Sequence, residues 1–94
     1  MSGEGLEFDW DEANLSHIAL HGLGAHQVEE SLRSNTIRLK VEIRDGEMRE
    51  RVLGSTREGM LLEVVTTERR EIIRVVTAFQ ASRLLRQYWK SQRR

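Results

Sequence analysis

The sequence predicts an α+β fold: a largely antiparallel meander sheet covered by helices, in the order β-α-α-β-β-β-β-α. Three observations carry this. Met60 to Thr67 and Glu71 to Thr77 are apolar runs rich in β-branched residues, and the charged break Glu68-Arg69-Arg70 separates them. Two such runs around a short polar break form an antiparallel hairpin. Ile37 to Arg44 alternates strictly between apolar and charged residues, and the turn signal Asp45-Gly46 follows it. After the last hairpin the period changes. Ala81, Leu84, Leu85 and Tyr88 fall at i, i+3, i+4 and i+7, one face of a helix.

The elements follow in order. Leu6-Glu7-Phe8-Asp9-Trp10 alternates and predicts a short strand with Leu6, Phe8 and Trp10 on one face. Asp9 or Asp11 caps a helix from Glu12 to His21, with Leu15, Ile18 and Leu20 as its apolar surface. Gly22 ends it in the left-handed conformation. A second helix runs from Ala25 to Arg33, with Val28 and Leu32 facing inward, and Ser34-Asn35 closes it. Ile37 to Arg44 is a half-buried strand. Met48 to Leu53 is its return, interrupted by charge and so expected near an edge. Gly54 to Gly59 is a polar loop. The final hairpin is mostly apolar and belongs in the middle of the sheet. Leu39, Val41, Ile43, Leu62, Val64, Ile73, Val75, Leu84 and Leu85 are the expected buried set.

The 94 residues make one domain, 1–94, with a modest core. An apolar share of 38% and a charged share of 32% fit a soluble globular chain, and no apolar run approaches the roughly 20 residues of a membrane span. The start Met1-Ser2-Gly3-Glu4 has no apolar block, and there is no cysteine, hence no disulfide and no cysteine-based zinc site. A reducing cytoplasm is the expected location. The net charge of zero hides an asymmetry. Residues 1–36 carry −6, counting Glu4, and residues 69–94 carry +7, counting Arg93 and Arg94. Such a basic block suits nucleic acid or an acidic partner. It equally suits a solvated helix face, with Arg83 and Arg86 on it, whose charges meet the acidic N-terminal third.

Several groups could carry chemistry. His17 and His21 stand at i, i+4, and His26 follows, but Ile18 stands where a metalloprotease-type motif has glutamate; a surface histidine pair is the commoner outcome, and no metal is expected. Glu47, Glu63 and Glu68 could each serve as a general base, with arginines stabilising the transition state. RNA brings its own 2′-hydroxyl nucleophile, so a basic sheet can cleave it without a metal or cofactor. Arg74 interrupts the apolar run Ile72-Ile73-Arg74-Val75-Val76 and must reach solvent, a partner or a ligand. It either pairs with a carboxylate such as Glu63 or contacts phosphate on an open sheet face. Tyr88 falls on the apolar helix face and reads as core. Trp89 is either core or a base-stacking ring.

From Phe8 to Tyr88 the chain resembles the BrnT family of type II toxins. The residues that carry the likeness are Phe8-Asp9-Trp10-Asp11 followed by Asn14, then His21-Gly22, then Gly46-Glu47-x-Arg49 with Gly54. Thr67-Glu68-Arg69 and Ile73-Arg74-Val75-Val76-Thr77-Ala78 complete it. The resemblance implies a RelE-like fold and a ribonuclease that cleaves RNA and arrests translation. It implies a partner, a BrnA-like ribbon-helix-helix antitoxin that binds DNA and represses the operon. The assembly would be a homodimer or a toxin–antitoxin hetero-oligomer. Carried over by motif, the catalytic candidates are His21, Glu47, Arg49, Glu68 and Arg74, and the RNA-binding candidates are Arg69, Arg70, Arg83 and Arg86. Three positions depart: Leu20 stands where a basic residue precedes His-Gly, and Phe79 and Gln80 stand where Arg-Lys follows. Each lost cation removes transition-state stabilisation of about 3 kcal/mol where the donor is well placed. The alternative is therefore a catalytically weak or inactive BrnT-like protein that binds an antitoxin or nucleic acid.

Overall fold

The structure, a computed structural model, describes residues 5–92. Glu4, Arg93 and Arg94, counted above among the charges, lie outside them. The elements are β1 (Glu7–Phe8), α1 (Glu12–Ala19), α2 (Ala25–Leu32), β2 (Ile37–Arg44), β3 (Glu47–Ser55), β4 (Leu61–Arg69), β5 (Ile72–Gln80) and α3 (Arg83–Gln92), in the predicted order. The strands form one sheet with spatial order β1-β5-β4-β3-β2. All neighbours are antiparallel except β1, which pairs with β5 in parallel. Both tight hairpins turn through two left-handed residues, Asp45-Gly46 (φ 52° and 77°) and Arg70-Glu71 (φ 54° and 67°). That geometry matches the natural twist of paired strands.

The register divides the sheet into two faces. Val52, Val64 and Ala78 stand opposite one another, as do Gly54 and Leu62, and these residues meet α1 and α2. Ile18, Leu23, Val28, Val52, Leu62, Val64, Val75 and Ala78 form this core, with Trp10, Leu32 and Met60 packed on it. The side chain of Trp10 donates from Nε1 to Glu29 across 2.8 Å. On the other face Leu53, Leu61 and Ala81 form a smaller cluster with Ile37, Leu39, Leu85 and Trp89. α3 covers only that end. No helix covers the rest of this face, where the partly exposed Arg49, Arg51 and Arg74 flank the buried Val65 and Thr67.

Two backbone features fix these faces. Val65 pairs with Thr77 and Thr66 pairs with Val75, so Val76 is an extra residue in β5. This bulge lets Val75 and Ala78 both face the helices and turns Arg74 to the open side. At Gly54, α2 comes so close that a Cβ there would overlap the Ser31 carbonyl. Ser34 Oγ ties the same junction, donating to Ser31 O at 2.6 Å and accepting from Ser55 N at 3.2 Å.

Several expectations need correction. β1 is two residues long, because past Phe8 the chain leaves the β5 edge to reach the α1 cap. α1 stops at Ala19, with Leu20 as C-cap, and α2 stops at Leu32, with Arg33 as C-cap. Leu15 and Leu20 are exposed, and Ile18 alone is buried in α1. β3 runs on through Ser55 and lies one strand in from the edge, which on that side is β2. Val41 and Ile43 on β2 are therefore exposed, Ile43 by 74%, since no helix reaches that corner. Leu39 and Ile73 are half-buried, whereas Leu62, Val64 and Val75 are buried as expected. The inward stripe is Ala81, just before α3, with Leu85 and Trp89 on the helix; Leu84 is 77% exposed and Tyr88 is exposed too. The stripe runs at i, i+4, i+8 because α3 crosses only one corner of the sheet and needs a narrow seam.

Candidate nucleic-acid interface on the open sheet face

Three rows cross this face, and the third starts under α3 at Leu53. Arg49, Thr67 and Arg74 stand in register on β3, β4 and β5. Arg51, Val65 and Thr77 form the next row, and Leu53, Glu63 and Phe79 the one after. Side chains in register on neighbouring strands share one face, with strands about 4.8 Å apart. Arg49 and Arg74 are thus two strands apart across Thr67.

A cleft of about 200 Å³ opens between them, lined by Asn14, Glu47, Arg49, Thr67, Arg74, Val75 and Val76. Arg49 Nε lies 3.5 Å from Glu47 Oε1, within ion-pair range. The geometry is not that of a hydrogen bond, and this buried Nε has no hydrogen-bond partner among the described residues. The other oxygen of Glu47 is 3.7 Å from Arg69. Arg74 donates to Asp11 at 2.8 Å and lies 3.5 Å from Asn14 Oδ1. The cleft is a short row of guanidinium groups, each leaning on a carboxylate, with one cationic nitrogen unsatisfied. Guanidinium donors of this kind suit the oxygens of a phosphate.

Of the five catalytic candidates, the fold brings together Glu47, Arg49 and Arg74. Glu68 pairs in register with Ile73 on the helix-bearing face, where it borders a groove with Leu6, Leu32, Met48 and Thr66. It cannot join the cleft, because one register step along β4 turns the side chain over. His21 packs against Phe79, two rows from Arg74. Among the RNA-binding candidates, Arg69 reaches Glu47, and Arg70 lines a shallow recess with Asp9, Ile72 and Arg74. Arg83 and Arg86 lie on α3, where Arg86 donates to Ala81 O at 2.9 Å. Glu63 pairs with Arg51, not with Arg74. His26 meets Glu30 at 3.1 Å, and no three metal-ligating side chains gather among the described residues.

Sequence reasoning missed Asn14, Arg51 and Thr67 as parts of this surface, and missed Asp11 as the partner of Arg74. Asp11 is legible as a helix cap, and it is one: its Oδ1 accepts from Asn14 N at 2.7 Å. The bulge at Val76, which decides where Arg74 points, has no signature in the residue pattern. No helix among the described residues is long and apolar enough to cross a membrane. No protein-family model matches the chain, and no curated protein matches it.

Proposed function

We propose that the open face binds RNA and cleaves it, the protein acting as the toxin of a type II toxin–antitoxin pair. The observation that supports this is the row Arg49–Thr67–Arg74, with Glu47 beside it. The arginines take the non-bridging oxygens of one phosphate. Glu47 takes the proton of the adjacent 2′-hydroxyl. The 2′-oxygen–phosphorus bond forms and the phosphorus–5′-oxygen bond breaks, with water protonating the departing 5′-oxygen. The products are a 2′,3′-cyclic phosphate and a 5′-hydroxyl. Arginines placed at the developing charge supply the stabilisation. A BrnA-like ribbon-helix-helix antitoxin is the partner this reading calls for, and the cytoplasm its location.

One observation favours a second reading. Glu68 and His21 both lie away from the cleft, so its two carboxylates, Glu47 and Asp11, each lean on an arginine and neither candidate stands beside them as a general acid. The second reading is an RNA-binding protein that is catalytically weak or inactive. Incubation with 5′-labelled single-stranded RNA separates the two. The toxin reading expects fragments ending in cyclic phosphate, lost in Glu47→Gln with binding retained, and growth arrest on expression that the partner relieves. Binding without fragments supports the second reading, and the absence of binding rejects both.

A further inference from the structure

The open face ends in aromatic rings. Phe79 stands two rows along β5 from Arg74, and the row of Arg51 lies between them. With one residue taken up by the bulge, that is a span of roughly 13 Å. The Phe79 ring is half-buried, and its centroid is 5.7 Å from that of His21, tilted by 56°. His21 in turn meets His17 edge-on at 5.7 Å. Both histidines are exposed, and no hydrogen bond or ion pair holds either ring among the described residues. The sequence sets this up. His17 and His21 are four apart across the end of α1, and the left-handed Gly22 (φ 76°) ends the helix beside them. α1 packs along β5, which brings the pair to Phe79.

We propose that Phe79, His21 and His17 form a base-stacking platform for single-stranded RNA whose phosphates lie on Arg49, Arg51 and Arg74. This rests on the RNA reading above and assigns its base subsite. Rings with partly exposed faces accept any nucleobase, and each stacked base is worth roughly 5- to 150-fold in affinity on alanine substitution. A base can reach such rings only when unpaired, so the substrate is single-stranded. The order along β5, cations first and rings second, also gives the bound strand a direction. His21 then positions the strand through its base and takes no part in the proton transfer at Glu47.

Stacking and phosphate contact differ in their response to salt. A phosphate contact releases counterions, so its loss lowers the salt slope of log affinity by about one unit, whereas a lost stack leaves that slope unchanged. The experiment titrates a fluorescent single-stranded RNA 12-mer against the full chain across a salt series. The proteins are wild type, Phe79→Leu, His21→Gln and Arg74→Ala, each checked by a thermal melt. Phe79→Leu keeps an apolar side chain of similar volume, and His21 is exposed, so both variants are expected to fold. The expected result is a loss of 5-fold or more for Phe79→Leu and His21→Gln at unchanged slope, beside a reduced slope for Arg74→Ala. A 12-mer with one abasic position, scanned along the strand, is expected to weaken binding to wild type at one or two positions and to make no difference to Phe79→Leu. Wild-type affinity in both folded ring variants, with Arg74→Ala impaired, overturns the platform and leaves the RNA reading standing. No binding by wild type at any salt overturns the RNA reading and the platform with it.

Discussion

The Arg74 guanidinium donates to the Asp11 carboxylate across 2.8 Å, joining the first half of β5 to the start of α1. The same carboxylate caps α1 through Asn14 N. One side chain thus sets both a helix start and the position of a cation in the cleft. The side chains are 34% and 50% exposed, so the pair contributes at most about 1 kcal/mol to stability.

Arg74→Ala is accordingly expected to cost no more than about 1 kcal/mol in a denaturant melt. RNA affinity is expected to fall, with the salt slope reduced by about one unit. A much larger loss of stability, with RNA affinity of the folded protein unchanged, would show that Arg74 is a structural residue.

Asp11→Asn separates the two tasks of the carboxylate. Asparagine caps as well as aspartate does, so only the ion pair is lost and stability is expected to stay within about 1 kcal/mol of wild type. With its counter-charge gone, Arg74 is free for phosphate, and RNA affinity is expected to rise. Asp11→Ala loses the cap as well and is expected to cost about 1 kcal/mol more than Asp11→Asn. Unaltered RNA affinity in Asp11→Asn would remove Arg74 from the interface.

Gly54→Ala tests the α2 junction. The added methyl would overlap the Ser31 carbonyl, which is backbone and cannot swing aside. The expected loss is about 3 kcal/mol or more, since α2 must lift from the sheet. A variant with stability within about 1 kcal/mol of wild type would mean that α2 is not held as the structure has it.

The two adjacent leucines of α3 are expected to behave differently. Leu84→Ser removes an exposed side chain and is expected to change stability by no more than about 0.5 kcal/mol. Leu85→Ala cuts into the seam with Leu53 and Leu61 and is expected to cost about 1–2 kcal/mol, below the range for a fully buried leucine because Leu85 is half-buried. Equal losses would place α3 in a different rotation.

Element type and order were legible because period decides them. Alternation at Ile37–Arg44 and the apolar runs of β4 and β5 mark strands whatever they pack on, although a register shift between Arg38 and Lys40 sends Leu39 and Val41 to different faces. Burial was less legible, because period alone does not say how far a cover extends. Val41 and Ile43 have the pattern of an inward face, yet α2 ends short of them and they meet solvent. Leu84 and Leu85 both fit one helical face, and the choice between them depends on where α3 crosses the sheet. The cleft was half legible. The resemblance points to Glu47, Arg49 and Arg74, which do meet, and equally to Glu68, which strand parity sends to the other face. The Asp11–Arg74 pair spans two elements far apart in the chain and leaves no local trace.

Val76, the extra residue in β5, lines the cleft. Side chains on a strand change face at every step, so the loss of one residue from β5 normally turns half the strand over. Loss of Val76 is different. It would bring Val75 and Thr77 into a plain ladder and leave Ile73, Val75 and Ala78 toward the helices and Arg74 toward solvent. For insertions and deletions, as opposed to substitutions, β5 therefore holds one position of slack, and that slack borders the cleft itself.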